Sequence, residues 1–188
     1  MKKIVVLFSG AGSNLAYLAE HLPAEGITIA AAVTNNPEAG GIAVARAHGI
    51  PLEVLDHRTF PDREAFDNAL AEAVASYRPD LVVLAGYMRI LTPAFTDRFR
   101  AINLHPSLLP RHKGLDAIRR SWEDEHPEGG VSVHRVTGEL DGGAIILQCV
   151  VPKAGLDAAA YEQRIRRLEK RVLTEGIIVV LKEEKKAN

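Results

Sequence analysis

The sequence predicts an α/β protein with a mostly parallel central sheet, helices on both faces of that sheet and a C-terminal helix. Short apolar runs alternate with segments of helical periodicity, which is the pattern of strands joined by covering helices. The chain then closes with a long charged segment that carries an apolar stripe at helical spacing. With 188 residues, 47% of them hydrophobic, the chain can bury a substantial core, and we expect a single domain over residues 1–188.

The candidate strands fall into two groups. Five apolar runs lie at residues 3–8, 27–33, 52–55, 81–85 and 101–104. Two further β-rich runs, at residues 131–136 and 144–151, flank the turn sequence "TGELDGG". We expect the second group to form an antiparallel pair that adds to the sheet.

Helical spacing and end signals predict the connecting helices. The first follows "SGAGSN" and ends at Pro23, and another is opened by "PDRE" and closes before "RPD". Shorter helices are expected in "GGIAVARAHG", which ends at Gly49, and behind Thr92 as an N-cap. The inner stripe of the final helix is expected at Tyr161, Ile165, Leu168 and Val172. Gly176 is expected to bend or interrupt that helix, and "KEEKKAN" to form a solvated tail.

Charge and hydropathy limit the partners. The chain has 23 basic and 24 acidic residues and a net charge of -1, so no overall field attracts nucleic acid or an anionic membrane. The apolar run at the N-terminus is short for a signal peptide, and no run approaches the ~20 apolar residues of a membrane span. We therefore expect a cytoplasmic protein that binds neither nucleic acid nor a membrane, and in which any anion is held by a local site.

A single cysteine, Cys149, excludes an internal disulfide and a cysteine-based zinc site. It lies in the apolar run "AIILQCVV". We expect it to be a small buried hydrophobic residue rather than a nucleophile.

The loop "SGAGSN", residues 9–14, lies between the first strand and the first helix. Backbone N–H groups and the helix dipole favour a phosphate at such a position. A dinucleotide fingerprint would have a third glycine where this chain has Leu15, and the lysine of a Walker A loop is missing. We expect a monophosphate here. The alternative is a tight turn in which Ser13 only caps the helix.

Asn103 and His105 stand at the end of the fifth candidate strand, in "AINLHPSLLP". Ligands of open α/β sheets bind beyond the carboxyl ends of the strands, and residues i and i+2 of a strand face the same side. A carboxylate partner would orient the His105 ring and raise its pKa. Asp141 is the candidate, because the glycines of "ELDGG" would let the backbone approach a ligand. An amide donor beside an imidazolium donor suits a tetrahedral oxyanion, which indicates acyl transfer without a protein nucleophile.

Two other interpretations of these three residues stay open. A metal site would need more ligands than Asn-x-His and one distant Asp supply, and no His-Glu-x-x-His sequence occurs. A strand-end histidine bonded to a loop aspartate could also be purely structural. Among the other histidines, the one in "RHK" is expected to be solvated like most loop histidines, and His134 in "VSVHRV" could face either way.

Several longer segments carry a family resemblance: "LFSGAGSNL", "DREAFD", "VVLAGYMRIL", "INLHPSLLP" and "GVSVHRVTGELDGGAIILQ". In order and at similar spacing, they resemble the phosphoribosylglycinamide formyltransferases, the folate-dependent glycinamide ribonucleotide transformylases of purine biosynthesis. The resemblance implies a Rossmann-like formyltransferase fold that uses 10-formyltetrahydrofolate and glycinamide ribonucleotide and needs no metal. The Asn-His-Asp set is shared by the wider folate formyltransferase superfamily. The segment "SGxGSN" and the single-domain length therefore specify which amine accepts the formyl group.

The resemblance also implies binding residues. Gly12, Ser13 and Asn14 would hold the phosphate region of the ribonucleotide, and Glu169 would lie near its ribose hydroxyls. Folate would meet Arg63, Met88, Arg89, Ile90, Leu91 and Asn103. On the residues alone, "YMRIL" is a strand-to-helix connection with one exposed arginine, and Glu169 is an exposed helix charge. A cis peptide is expected at Leu109–Pro110, which would account for the sharp turn.

The chain departs from the family pattern at four positions: Ala11, Asp116, Lys170 and Thr174. The family often has Gly-Asn-Gly around the first, histidine at the second and third, and proline at the fourth. None of these is a residue of the Asn-His-Asp set. We expect them to affect substrate affinity and acceptor identity more than the chemistry.

The expected reaction is direct attack of the ribonucleotide amine on the formyl carbon. Asn103 and His105 would stabilise the oxyanion, and Asp141 would assist proton transfer by His105. The alternatives are a 10-formyltetrahydrofolate deformylase, a formyltransferase with another amine acceptor, and a nucleotide-binding module without turnover. We expect the protein to be a monomer or a homodimer.

Overall fold

The computed structural model describes residues 1–183, so most of the tail "KEEKKAN" lies outside the described residues. The chain forms two compact units, Met1–Ile102 and Asn103–Asn188. Seven strands make one sheet in the order β3-β2-β1-β4-β5-β6-β7, with helices between them in the chain and a long helix at the end. This mostly parallel α/β architecture confirms the predicted fold class.

The first unit alternates strands and helices. Its elements are β1 (Lys2–Phe8), α1 (Ser13–His21), β2 (Ile27–Thr34), α2 (Gly41–Ala47), β3 (Leu52–Val54), α3 (Arg63–Ser76), β4 (Leu81–Leu84) and α4 (Pro93–Thr96). Strand β1 pairs in parallel with β2 and β4, and β2 pairs in parallel with β3. Every residue of β4 and the last five residues of β1 are buried, as expected for parallel strands covered on both faces.

The helix ends in this unit follow the sequence signals closely. Helix α1 ends at His21, and Pro23 lies in a short 3-10 turn behind it. The side chain of Asp62 caps α3 by accepting a hydrogen bond from the Ala65 N–H at 2.8 Å. Thr92 is the N-cap residue of α4 but makes no side-chain capping bond.

The second unit contains the end of β5 (Ala101–His105), α5 (Ala117–Glu123), β6 (Glu128–Arg135), β7 (Ile145–Pro152) and α6 (Ala158–Glu183). Strands β6 and β7 are antiparallel, as predicted. Helix α6 packs on both of them. This packing explains why the long charged helix is stable: its apolar stripe is covered by the antiparallel pair.

Two expectations about α6 are wrong. The helix runs through Gly176 without interruption, and a Cβ at Gly176 would lie 2.8 Å from Cγ1 of Val133 on β6. Glycine therefore serves close helix–strand packing here. The inner stripe includes buried Glu169, whereas Leu168 is only half-buried.

Cys149 is half-buried rather than buried, so that expectation is also wrong. It lies on β7, the last strand in the sheet order, where neighbouring apolar side chains such as Ile145 and Val150 are exposed. An edge strand has one side without a strand neighbour, which leaves its residues more accessible. Over residues 1–183, no helix is long and apolar enough to span a bilayer.

Candidate active site

The structure brings Asn103, His105 and Asp141 together at the end of β5. The side-chain N–H of Asn103 donates to Oδ1 of Asp141 at 3.2 Å, and Nδ1 of His105 lies 3.4 Å from Oδ2 of the same carboxylate. His105 and Asp141 are buried, with 6% and 8% of their surface exposed, and Asn103 is half-buried. The i, i+2 spacing on β5 therefore directs the amide and the imidazole toward one carboxylate.

Asp141 is held as a charged carboxylate. It occupies a left-handed backbone position, φ 47°, and the Gly114 N–H donates to its Oδ2 at 2.9 Å. Burial alone would raise the pKa of Asp141, but its contacts with the His134 ring and the Gly114 N–H outweigh burial and lower that pKa to about 2. The group is therefore ionised over the whole physiological range.

His105 has a defined orientation. Its Nε2 lies 2.8 Å from the carbonyl oxygen of His112, and because a carbonyl oxygen can only accept, Nε2 carries the hydrogen in this contact. Nδ1 then faces Asp141. Burial lowers the pKa of His105, and the opposing effects of the His112 carbonyl and of Asp141 are smaller. The expectation of a raised pKa is therefore wrong in its net direction, and the ring is neutral near pH 7.

A second histidine, His134 on β6, belongs to the same cluster. Its Nδ1 donates to the Arg135 carbonyl oxygen at 2.8 Å, and its Nε2 lies 3.1 Å from the side-chain nitrogen of Asn103. The same Nε2 lies 3.3 Å from Oδ1 of Asp141. Alternation along "VSVHRV" left the direction of this side chain open. Only the pairing of strands in the folded unit decides it.

His112 was expected to be a solvated loop residue, and the structure contradicts this. Its carbonyl oxygen holds His105, and its side chain lies 2.6 Å from a carboxylate oxygen of Asp124. The peptide bond between Leu109 and Pro110 is cis, as expected. No local pattern around "LPRHKG" signals these contacts, because they join residues that are apart in the sequence.

The glycine loop between β1 and α1 has the geometry of an open helix N-terminus. Gly12 is the N-cap residue, with φ 80°, and no side chain caps the first turn. Ser13 is the first helical residue and is exposed, so the alternative in which Ser13 only caps the helix is wrong. A Cβ at Gly12 would lie 2.5 Å from the Cα of Gly41. The side-chain oxygen of Asn14 is buried and accepts no hydrogen bond within the described residues.

The segment with the expected folate residues joins β4 to α4. Arg63, at the start of α3, donates to the Ile90 carbonyl oxygen at 2.7 Å, so these two parts of the expected site are in contact. Arg89 is not simply an exposed arginine, because its guanidinium lies 4.7 Å from the centre of the Phe66 ring. Met88 is 69% exposed, whereas Leu91 is 2% exposed and belongs to the core.

A cavity of about 410 Å³ adjoins this segment in the first unit. It is lined by Ser9, Asn35, Asn36, Pro37, His57, Arg58, Met88 and Arg89. Most of these residues follow the carboxyl ends of parallel strands, which is where α/β sheets bind ligands.

Glu169 is buried on α6, with 6% of its surface exposed, so the interpretation as an exposed helix charge is wrong. Burial raises the pKa of its carboxyl group, although Arg166 lies 3.4 Å away. Of the expected site residues, Asn103, His105, Asp141 and Glu169 belong to the second unit and the others to the first. Within residues 1–183, no cluster of three or more His, Cys, Asp or Glu side chains is arranged to hold a metal ion.

Comparison with known proteins identifies the family. The formyl transferase family matches residues 2–177. The chain belongs to this family. Among curated formyl transferases, the phosphoribosylglycinamide formyltransferase of Escherichia coli K12 is 46% identical over 153 residues, which cover 79% of this chain and 72% of the relative. The Haemophilus influenzae protein of the same name is 43% identical over 159 residues, 81% of this chain and 74% of the relative.

Solved formyl transferase structures show the same fold. The crystal structure of phosphoribosylglycinamide formyltransferase from Campylobacter jejuni superimposes with a TM-score of 0.93 at 41% sequence identity, and covers 96% of this chain and 97% of that one. Glycinamide ribonucleotide transformylase 1 from Symbiobacterium toebii gives a TM-score of 0.91 at 38% identity, over 97% of this chain and 89% of that one. At these identities, the likeness extends to the family as well as the fold.

Proposed function

We propose that this enzyme transfers the formyl group of 10-formyltetrahydrofolate to the amine of glycinamide ribonucleotide, in purine biosynthesis. Membership of the formyl transferase family and the likeness to two phosphoribosylglycinamide formyltransferases support the reaction class and the acceptor. The observation that carries the assignment to this chain's own residues is the contact of one carboxylate, Asp141, with both Asn103 and His105.

The proposed step begins when the amine nitrogen attacks the formyl carbon. A new C–N bond forms, and the carbonyl π electrons move to the formyl oxygen, which becomes an oxyanion. We assign Asn103 as the hydrogen-bond donor to this oxygen. Its side-chain nitrogen now lies 3.2 Å from Oδ1 of Asp141 and 3.1 Å from Nε2 of His134, so one of its N–H bonds would turn to the oxyanion. One hydrogen-bond donor to an oxyanion is typically worth roughly 10²–10³ in rate.

We assign His105 to proton transfer. A neutral ring with the hydrogen on Nε2 offers Nδ1 as a base, so His105 would take a proton from the attacking amine and become an imidazolium beside the charged Asp141. The oxyanion then collapses, the C–O double bond re-forms and the bond to the folate nitrogen breaks. That nitrogen receives the proton, either from His105 or through a water held by Asp141. The scheme requires no metal ion.

Binding of the ribonucleotide is assigned to the glycine loop. The uncapped first turn of α1 supports a phosphate contact from Gly12, Ser13 and Asn14, because backbone N–H groups and the helix dipole favour an anion there. The free oxygen of Asn14 suits a hydroxyl donor. We assign Glu169 to the ribose hydroxyls, since carboxyl oxygens accept hydrogen bonds from hydroxyl groups.

Folate binding is assigned to Arg63, to the segment Met88, Arg89, Ile90 and Leu91, and to Asn103. Exposed Met88 and Ile90 would offer apolar surface to the pterin, and Arg63 and Arg89 would favour the anionic end of the cofactor. Leu91 would support the segment from the core. We also propose that the enzyme works in the cytoplasm on these two small molecules, as a monomer or a homodimer.

The test follows the absorbance change as 10-formyltetrahydrofolate becomes tetrahydrofolate, with and without glycinamide ribonucleotide. We expect turnover only with the ribonucleotide, and a fall of at least about 10²-fold in kcat for Asp141→Asn, since the charge that stabilises the imidazolium is lost. Glu139→Gln is the matched control, because Glu139 is an exposed carboxylate on the same turn that forms an ion pair with Lys113. Turnover without the ribonucleotide would indicate a deformylase, and no turnover at all would refute the proposal.

A further inference from the structure

The contact that orients His105 depends on an unusual backbone conformation at His112. This residue has φ 56°, in the left-handed region, where any residue other than glycine is strained. That conformation places the His112 carbonyl oxygen 2.8 Å from Nε2 of His105. Something must therefore hold His112 in place.

The His112 side chain supplies the restraint. Its Nε2 lies 2.6 Å from Oδ2 of Asp124, the residue that ends α5 (Ala117–Glu123), and both side chains are largely buried. A charge-assisted hydrogen bond of this length is stronger than one between neutral groups. The backbone and the side chain of His112 thus join His105 to the end of α5.

Asp124 is itself fixed from several directions. Lys153, which follows β7, donates to Oδ1 of Asp124 and to its carbonyl oxygen, and the His126 N–H donates to Oδ1 at 3.0 Å. Arg111 lies 3.6 Å from Oδ2. Although burial raises the pKa of Asp124, the bonds from Lys153 and His112 hold it far below the usual range. Asp124 is therefore a charged and oriented anchor.

We propose that His112 and Asp124 are positioning residues for the formyl transfer, which hold the His112 carbonyl oxygen on Nε2 of His105 and so keep Nδ1 of His105 turned to Asp141. The inference rests on the proposed function, because it assigns a role within that reaction. Without the anchor, His112 relaxes from the left-handed region and its carbonyl oxygen leaves His105. The buried ring can then rotate or change tautomer, and fewer molecules hold the reactive arrangement.

Three variants separate this role from general loop stability. His112→Gly removes the side-chain anchor and leaves this backbone position free to adopt many conformations, so the carbonyl oxygen at position 112 is no longer held on His105. His112→Gln keeps an N–H donor of similar reach, and Asp124→Ala removes the anchor from the other side. Lys113→Gln is the control, since it breaks a loop ion pair with Glu139 and leaves both the His105 and the Asp124 contacts in place.

Two readouts are needed. For His112→Gly and Asp124→Ala, we expect kcat to fall about tenfold, a loss equivalent to ~1.4 kcal/mol, with KM for both substrates within about twofold of wild type. In ¹⁵N-histidine NMR spectra, assigned through His105→Gln, the Nε2–H form of His105 should dominate in wild type and lose population in these two variants. His112→Gln and Lys113→Gln should resemble wild type in both readouts.

An unchanged His105 tautomer and an unchanged kcat in His112→Gly or Asp124→Ala would overturn the inference. So would an equal loss in Lys113→Gln, or no recovery in His112→Gln, because either result would mean a general effect on the loop. The NMR readout needs no turnover. An inactive wild type with the expected tautomer pattern would therefore refute the proposed function and leave the positioning of His105 supported. If His112→Gly does not fold, Asp124→Ala and His112→Gln carry the same comparison.

Discussion

At His105, burial and charge act in opposite directions on the same ring. The low dielectric disfavours the imidazolium, whereas the Asp141 carboxylate and the His112 carbonyl oxygen favour it, and burial is the larger effect. The ring therefore rests neutral and becomes charged only when it takes a proton. His105 is thus a neutral base at the start of the cycle, and the Asp141 charge stabilises its protonated form. Both properties suit the proton transfer proposed for His105.

This balance predicts the titration of His105. The midpoint of its ring signals in an NMR titration is expected below the ordinary value of about 6.5, since burial lowers the pKa. In Asp141→Asn the midpoint should fall further, because a negative charge that favours the imidazolium is removed. As the pH drops through the midpoint, the base is lost and kcat should fall with it. A wild-type midpoint above about 6.5, or an upward shift in the variant, would contradict this account.

Residue types at the strand end could be predicted from the sequence, and their partners only in part. Asn103, His105 and Asp141 were predicted because strand alternation and loop glycines are local signals. His112 and His134 were missed as members of the cluster, since their contacts depend on how the loop after β5 and the strand β6 pack. The direction of the His105 pKa shift was missed for a related reason: it depends on burial, which one sequence segment does not define.

At the scale of elements, strands and helices with a regular apolar pattern could be predicted from the sequence. The roles that packing gives to single residues within them could not. Strands β1 and β4 are continuous apolar runs, and helix α3 has apolar residues at helical spacing that are buried in the structure. Gly176 has the local signature of a helix break, but its position against Val133 makes it a packing residue. Glu169 likewise has the local signature of a surface charge, and it is the packing of α6 that buries it.

The turn from β1 into α1 gives a prediction at this scale. Gly12 has φ 80° and would place a Cβ 2.5 Å from the Cα of Gly41 at the start of α2, so Gly12→Ala both strains the backbone and moves α1 and α2 apart. We expect a loss of about 1–3 kcal/mol in the free energy of unfolding by urea. KM for the ribonucleotide should rise about tenfold or more, as ~1.4 kcal/mol of lost binding implies, with a smaller change for folate.

Gly10→Ala is the matched control for Gly12→Ala. A Cβ at Gly10 meets no atom within 4 Å, so this variant removes a glycine from the same loop without a clash. Its free energy of unfolding is expected to stay within about 0.5 kcal/mol of wild type. If Gly12→Ala loses stability but keeps the wild-type KM for the ribonucleotide, the glycine loop does not hold its phosphate.

At the scale of the whole molecule, the division between the two compact units falls inside a strand rather than in a linker. The division falls between Ile102 and Asn103, inside β5 (Ala101–His105). Boundaries between independent domains normally lie in exposed, polar linkers. Here the neighbouring residues Ile102 and Leu104 are buried. The single formyltransferase domain over residues 1–188 stays a prediction, and the strand that contains the division suggests how to test it.

A shared strand predicts cooperative unfolding. If β5 cannot stay formed in one unit while the other unfolds, both units should lose structure at the same urea concentration. Hydrogen exchange followed by mass spectrometry can compare peptides from β1 with peptides from β6 across a urea series. We expect coincident midpoints for the two strands, and a matching midpoint from the fluorescence of Trp122, the only tryptophan. Separate transitions for β1 and β6 would mean that the units are independent domains, and that His105 could remain oriented after the glycine loop has unfolded.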